Sequence, residues 1–313
     1  MFGKSSAAIA LAGLMAPLQI LAAPTVVTIA DEQVFPESVT STASGDLIIG
    51  SLGKGAIYRA KAGSDKATLW LDPAKTGMVA VLGVYADNAS RTLYVCSVAP
   101  PAPAGAQRQS QYSALRTFDL ESGAPKGSYP MIAPEKATCN DIDVARDGSA
   151  YVTDTGGGQV LRLNKGARAL EVWAKDDRLA GADGLALGND VMYVNSVTTS
   201  RLFSIAMGAD GEAGAITELR PSMKLARPDG MRALGGNKFL MAENAWQVGR
   251  VTEVTVHGDR ADMRVLKEDP GVTAITKVGR VVWVDNAKLA YRGNGPMKDH
   301  SPEPFTIYAI PFK

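Results

Sequence analysis

The sequence predicts an all-β fold, because it combines internal repeats with short strands and lacks helical periodicity. Apolar residues alternate or run together over four to seven positions, between turns rich in Gly, Asp and Asn, which is typical of β-strands. Beyond the first two dozen residues, no stretch keeps a 3.6-residue period over three turns. Self-similar segments recur six times along the 313 residues. Together these observations predict a six-bladed β-propeller of four-stranded antiparallel blades, closed by an N-terminal strand.

The beginning of the chain is predicted to be a signal peptide at residues 1–22, followed by a propeller domain at residues 23–313. Lys4 gives the segment a positive start, residues 7–23 are almost wholly apolar, and small residues offer a cleavage point after Ala22. The alternative is an uncleaved membrane anchor, which the shortness of the apolar stretch disfavours. We therefore expect a periplasmic or secreted protein with no membrane attachment after cleavage.

Charge limits the partners that the protein could have. The 33 Lys and Arg residues nearly balance the 32 Asp and Glu residues, and no basic run stands out. Nucleic acids and anionic membranes attract strongly basic surfaces, so neither is an expected partner. The partner that the motifs below indicate is a small-molecule substrate.

The repeats give the predicted propeller its blade count. Each copy contains an apolar strand that begins with a polar residue, a tight turn, a second strand and further strands. Two looser copies begin near Gly83 and Gly271, and the four clear copies span residues 35–63, 139–166, 181–207 and 227–256. The last copy stops after its third strand, whereas a spare strand, Thr25–Ala30, precedes the first copy. We expect the spare strand to complete the sixth blade, because closing the ring removes an exposed sheet edge.

The repeats also predict a ring of polar residues at one end of the channel. In a propeller blade the first strand lines the channel and the second runs back antiparallel, so the start of one and the end of the other share a face. We call the residues that start the first strands opener residues: Glu37, Gly83, Asn140, Asp183, Asp229 and Thr273. We call the residues that end the second strands closer residues: Ser51, Ser97, Asp154, Asn195, Glu243 and Asp285.

Four openers carry oxygen donors and suggest a metal site: Glu37, Asn140, Asp183 and Asp229. Three carboxylates held close together repel one another unless a cation or shifted pKa values neutralise them. A donor set of oxygens, without His or Cys, disfavours zinc and suits a divalent metal, with Ca²⁺ the best fit and Mg²⁺ the alternative. The competing interpretation is that these residues only form turns, since Asp-Gly and Asn-Asp pairs are common there.

The same positions carry four short motifs, in order Pro36–Ser38, Asn140–Asp141, Asp183–Gly184 and Pro228–Gly230. In this order and spacing they resemble the motifs of the gluconolactonase/regucalcin-like (senescence marker protein) family of β-propellers. That family has kinship to paraoxonases and strictosidine-synthase-like proteins. The resemblance covers nearly all of the chain after the predicted signal peptide.

The resemblance implies a role for each matching opener. Glu37 corresponds to the family's glutamate metal ligand, and Asp229 to an aspartate that is both ligand and proposed general base. Asp183 stands where the family has an Asn ligand, which adds a negative charge. Asn140 matches a position that binds either metal or substrate in relatives.

These roles imply a metal-dependent hydrolase of the lactonase or esterase type, in which the metal polarises a lactone or ester carbonyl. Asp229 would accept the proton of the attacking water, with Asp154 as the alternative base. Asn140, Asn195 and Glu243 would contact the substrate. No Gly-x-Ser-x-Gly segment is present, which disfavours a serine nucleophile. Two alternatives stay open: a lyase, isomerase or strictosidine-synthase-like enzyme, and a non-catalytic propeller that binds a ligand or a protein.

Two departures from the family pattern narrow the substrate. Sugar lactonases of the family carry an Arg shortly before the Asn-Asp pair, where this chain has Thr138 and Cys139, so aldonolactone specificity is disfavoured. Paraoxonase-like enzymes add a His dyad. We expect none here, because the chain has only His257 and His300 and the first of them should face the opposite end of the channel.

Two further features have alternative interpretations. Cys96 ends a second strand and Cys139 adjoins an opener of the next repeat, so the pair could form a disulfide or remain two buried thiols. Two long insertions, residues 99–113 and 287–304, follow second strands at the opener end. They could act as substrate lids or be plain solvated loops.

Overall fold

The computed structural model of the protein describes residues 24–99, 113–133, 136–245 and 247–313. Strands make up 55% of it and helices 4%, so the predicted all-β class is confirmed. The predicted signal peptide and most of the first long insertion lie outside the described residues. Within them, no helix is both long and apolar enough to cross a membrane.

Three sheets consist of four antiparallel strands each, joined in chain order. The strands of the first are β6 (Ala80–Asp87), β7 (Thr92–Val98), β8 (Ser113–Asp119) and β9 (Pro125–Pro130). Those of the second are β10 (Cys139–Val144), β11 (Ala150–Asp154), β12 (Gln159–Leu163) and β13 (Glu171–Lys175). Those of the third are β14 (Ala182–Leu187), β15 (Val191–Ser196), β16 (Arg201–Met207) and β17 (Ala213–Glu218).

A fourth sheet follows the same plan with one addition. Its antiparallel strands are β19 (Pro228–Gly235), β20 (Lys238–Asn244), β21 (Gly249–His257) and β22 (Arg260–Glu268). The short strand β18 (Arg220–Pro221) pairs in parallel with β22.

The remaining sheet has eight strands and joins the two ends of the chain. One half contains β2 (Pro36–Ser41), β3 (Leu47–Ser51), β4 (Ile57–Ala60) and β5 (Lys66–Leu71). The other half contains β23 (Ile275–Val278), β24 (Val281–Asp285), β25 (Phe305–Pro311) and the N-terminal strand β1 (Val26–Ile29). β1 pairs antiparallel with β25 over its whole length and in parallel with β5 at two positions. The N-terminal strand thus lies beside the last strand of the chain, as the repeat pattern predicts.

The first strands of the repeats pack side by side, and we call them the inner strands. β2 contacts β6, β6 contacts β10, β10 contacts β14, β14 contacts β19, β19 contacts β23, and β23 contacts β2. Because the opener residues start these strands, this packing brings them towards one another.

Apolar side chains fill the spaces between neighbouring sheets. Ile48 and Ile57 of the first repeat pack with Val95 of the second, and the same type of cluster recurs between each later pair. Another cluster joins Phe305 in the last strand to Tyr58 in the first repeat. Burial of aliphatic and aromatic side chains against the next sheet is therefore the main force that holds the sheets together.

Other elements are few and short. α1 spans Pro73–Thr76, and 3₁₀ helices span Asp177–Leu179 and Leu289–Tyr291. A disulfide joins Cys96 in β7 to Cys139 in β10, which decides between the two interpretations that the sequence left open. The bond links two sheets directly beside the opener Asn140.

Candidate functional site

Each of the four openers proposed as ligands lies at an irregularity in strand pairing. The pairing of inner strand and second strand shifts register between Pro36 and Ser38, Cys139 and Ile142, Ala182 and Leu185, and Pro228 and Met231. Such β-bulges free one or two residues from regular pairing and redirect their side chains. The same irregularity also occurs between Val81 and Val84, around the opener Gly83, so it recurs at five of the six openers and includes all four predicted ligands.

Glycine allows the inner strands to approach closely at this end. A Cβ atom on Gly184 would lie 2.1 Å from the carbonyl oxygen of Asp229, and one on Gly83 would lie 2.1 Å from that of Asn140. Both distances are far too short for a real carbon atom. The glycine of the Asp183–Gly184 motif is therefore needed to bring the start of β14 against the start of β19.

The four openers lie in a buried cluster, with exposures of 9% or less. The Nδ2 atom of Asn140 donates to Oδ2 of Asp183 at 2.8 Å, and the other oxygen of Asp183, Oδ1, is buried without a hydrogen-bond partner. Oδ1 of Asp229 accepts from the Gly230 backbone at 2.9 Å. Among the described residues, no hydrogen bond reaches the Glu37 carboxylate. Oxygen atoms of this cluster therefore lack the partners that buried polar atoms normally have.

Crowding and burial disturb the acidity of these carboxyls. Burial raises the pKa of Glu37 well above its usual range, and the charges of Asp229 and Asp183 raise it further. The pKa of Asp229 is raised in the same way, first by burial and then by Asp183. Burial and the Asp141 charge raise the pKa of Asp183 to about 8. Without a neutralising partner these acids hold protons that ordinary carboxyls would lose at neutral pH.

The donor chemistry fits a hard cation. Three carboxylates and one amide supply only oxygen, and the unpartnered Oδ1 of Asp183 is a free donor. No three His, Cys, Asp or Glu side chains of the described residues are already grouped as a metal site.

Three closers to which the sequence assigned roles, Asp154, Asn195 and Glu243, are fully buried and form hydrogen bonds within the fold. The Asp154 carboxylate accepts from the backbone of Thr138 at 2.7 Å and of Gly157 at 2.9 Å, and from the side chain of Gln159 at 2.9 Å. It therefore anchors the ends of its own sheet, an environment that does not support Asp154 as the alternative base.

Asn195 and Glu243 have equally complete sets of partners. Asn195 accepts from the Gly184 backbone at 3.0 Å and donates to the Asp229 carbonyl oxygen at 2.6 Å. Glu243 forms an ion pair with Arg250 and accepts from the Ala226 backbone at 2.7 Å. These contacts do not support the prediction that both side chains touch substrate. They indicate instead that Asn195 holds the backbone at two openers in place.

A buried ion pair between Asp141, which follows the opener Asn140, and Arg232 was not predicted from the sequence. Asp141 accepts from the Arg232 guanidinium at 2.7 Å and from the backbone of Met231 at 3.1 Å. Arg232 also donates to the Val84 carbonyl oxygen at 3.0 Å. The pair thus ties together β6, β10 and β19. Asp141 is in the recognised Asn-Asp motif, but Arg232 falls outside the opener and closer register, so the repeats gave no signal for it.

Asn244 was also missed, although it directly follows a closer. Its Nδ2 atom donates to Oδ2 of Asp229, and its Oδ1 accepts from Nε of Arg227 at 3.2 Å. Asn244 therefore holds the proposed base from one side. The second insertion, residues 287–304, lies at the same end, where Arg292 donates to the Leu52 carbonyl oxygen at 3.3 Å.

Comparisons with known proteins identify the fold but do not establish the activity. No family model matches the sequence, and none of the curated proteins matches it. Solved structures do match. A gluconolactonase from Xanthomonas campestris is 18% identical, with a TM-score of 0.63 over 92% of this chain and 89% of that one.

Two other similar structures have different functions. Regucalcin from Agrobacterium tumefaciens, a calcium-binding protein, is 12% identical, with a TM-score of 0.62 over 92% of this chain and 97% of that one. Virginiamycin B lyase from Staphylococcus aureus is 12% identical, with a TM-score of 0.56 over 92% and 98%. The resemblance to gluconolactonase- and regucalcin-like propellers is therefore confirmed for the fold, which by itself does not fix function.

Proposed function

We propose that the protein is a metal-dependent hydrolase of the lactonase or esterase type that acts on a small-molecule lactone or ester. The observation that carries the proposal is the buried opener cluster, in which Oδ1 of Asp183 has no partner and burial, followed by like charges, raises the pKa values of Glu37 and Asp229. Such a cluster lowers the stability of a fold, and arrangements with this cost are concentrated at functional sites. Gluconolactonases among the similar structures suggest which function.

The scaffold in this proposal is a closed six-bladed propeller. The cyclic contacts of the six inner strands support it, as do the apolar clusters between successive repeats. The pairing of β1 with β25 supports the view that the N-terminal strand completes the sixth blade. On this view the eight-stranded sheet is two blades linked by the short parallel contact of β1 with β5.

Glu37, Asn140, Asp183 and Asp229 would hold the metal, for which Ca²⁺ is the best fit to an all-oxygen donor set. When bound, the cation would polarise the substrate carbonyl and stabilise the negative charge that develops on its oxygen. Asp229 would accept a proton from water as the water oxygen bonds to the carbonyl carbon. The bond to the leaving oxygen then breaks, and that oxygen takes up the proton. The hydrogen bond from Asn244 would orient Asp229 for this transfer.

The proposed location is the periplasm or the exterior of the cell. The apolar segment at the start of the chain supports it. The Cys96–Cys139 disulfide supports it independently, because structural disulfides persist mainly in oxidising compartments.

A lyase is the second candidate, favoured by two similar structures, virginiamycin B lyase and streptogramin B lyase. The products separate the two reactions. Hydrolysis adds the mass of one water to the substrate, whereas elimination opens the ring or splits the ester without adding it.

The test is activity on a panel of lactones and esters, combined with metal analysis of the mature protein. We expect one divalent metal per chain and hydrolysis that chelation abolishes and Ca²⁺ restores. The variant Asp147→Asn is a matched control, since it removes an acid from the turn after the inner strand β10, at the end opposite Asn140. Activity that survives complete removal of metal would contradict the proposal.

A further inference from the structure

A small pocket of about 220 Å³ opens beside the proposed base. Its walls include Arg227, Asn244, Lys288, Leu289 and Tyr291. Asn244 belongs to the pocket and also donates to Oδ2 of Asp229. Asn244 therefore connects the pocket to Asp229, although none of the openers is among the described residues that line it.

Arg227 is the free cation of the pocket. Its side chain is exposed, and its Nε atom donates to Asn244. Its two terminal nitrogens have no hydrogen bond or ion pair with any described residue. Burial and the Asp141 charge raise the pKa of Asp183, and the charge of Arg227 offsets part of that rise.

Lys288, by contrast, is already engaged. Its Nζ atom donates to the backbone carbonyl oxygens of Pro302 and Pro304, the latter at 2.8 Å. Its ammonium group therefore has two of its three donors committed to the insertion at 287–304. Arg227 is the group of this pocket that can bind a ligand through a pair of parallel hydrogen bonds.

The backbone at Arg227 is unusual as well. Its φ is 51°, in the left-handed region that residues other than Gly rarely adopt, and the next residue is Pro228. Such conformations cluster at binding sites, where the surrounding structure maintains them.

The remaining lining is apolar or neutral. Leu289, Ala290, Tyr291 and Pro270 supply carbon surface, and none of the described residues that line the pocket is acidic. A pocket that combines a planar guanidinium with apolar side chains is suited to a carboxylate attached to a short hydrocarbon or ring.

We propose that this pocket binds a carboxylate of the substrate, and that the substrate is a lactone or ester bearing a carboxylate near the reacting carbonyl. Arg227 is the specificity-determining residue. This inference rests on the proposed hydrolase function for its reaction, but the binding of a carboxylate to Arg227 can be tested without it.

The kinetic test compares pairs of lactones and esters that differ only in a carboxylate or the matching carboxamide. We expect the protein to prefer the carboxylate in kcat/KM. In Arg227→Met the preference should fall about 10–100-fold, mainly through KM, because a charged hydrogen-bonded contact is lost. Arg227→Lys should recover part of it. Arg220→Met, which removes an exposed Arg paired with Asp259, should keep the preference.

Binding of a non-reactive probe separates the two proposals. Phenylacetate should bind to the metal-loaded protein more tightly than phenylacetamide. In Arg227→Met the affinity for phenylacetate should fall at least about 10-fold. If no lactone or ester is hydrolysed but this binding pattern holds, the hydrolase proposal fails and the carboxylate pocket stands. Equal binding of the two probes, or equal binding of phenylacetate by Arg227→Met, overturns the pocket proposal whatever the activity.

Discussion

Openers and closers carry similar polar groups at one end of the same sheets, yet their surroundings are opposite. The closers Asp154 and Glu243 have every carboxylate oxygen engaged by a backbone amide, an amide side chain or an arginine. The openers Glu37 and Asp183 have oxygens without a partner among the described residues and lie among other acids. The closers therefore stabilise the fold, whereas the openers weaken it.

This difference shows why position alone does not identify a functional residue. Both groups follow from the same repeat register, but only the hydrogen-bond partners distinguish a structural carboxylate from one available to a ligand. Asp285 is intermediate. Oδ1 of this closer accepts from Ala274 and Thr273, while its Oδ2 is buried without a partner, and burial raises its pKa to about 7.

The largest expected effect is on turnover, which substitution of Asp229 should lower and substitution of Asp154 should not. Asp229→Asn keeps the shape and an oxygen ligand but removes the base, so turnover at saturating metal should fall about 10²–10⁴-fold. Asp154→Asn should cost stability, because its backbone contacts weaken, while the folded protein keeps its turnover. The measurement is kcat in saturating Ca²⁺ beside a thermal unfolding curve. If Asp154→Asn abolishes turnover and Asp229→Asn does not, the two roles must be exchanged.

A smaller effect is expected in the stability of the metal-free protein, which a closer variant should lower and an opener variant should raise. Glu243→Gln leaves Arg250 without its anionic partner and should lower the free energy of unfolding by about 2–3 kcal/mol. Asp183→Asn removes a carboxyl whose ionisation the folded cluster disfavours, with a pKa of about 8, and should therefore raise the melting temperature by about 2–4 °C at neutral pH. The measurement is denaturant or thermal unfolding of protein from which a chelator has removed the metal. Destabilisation of the metal-free protein by Asp183→Asn would mean that the openers are turn formers.

Much of this arrangement could be predicted from the sequence, because the repeats are local patterns. Strand order, the pairing region of the N-terminal strand and the clustering of Glu37, Asn140, Asp183 and Asp229 all follow from residue spacing. The disulfide could not be decided, since spacing does not separate a bonded pair from two buried thiols. The role of Arg232 was invisible, because it contacts the Val84 carbonyl oxygen across 148 positions of sequence.

The hydrogen-bond partners of the closers could not be read from the sequence for a related physical reason. The sequence places Asp154 and Glu243 at the correct end of their strands but does not reveal what their oxygens bind. Glu243 is paired with Arg250 seven residues later, and Asp154 folds back onto its own turn at Gly157. Both partners lie in the same repeat, so charged or small residues just after a closer are a signal that could have identified its structural role.

Calcium binding to the purified protein and its variants tests the central claim most directly. Titration calorimetry on chelator-treated protein should give one Ca²⁺ per chain. Glu37→Gln and Asp183→Asn should weaken that affinity by at least about 10-fold, whereas Glu243→Gln, measured where it is folded, should keep it. Absence of calcium binding, or equal weakening by opener and closer variants, would contradict the claim that the opener cluster is a cation site and the closers are structural.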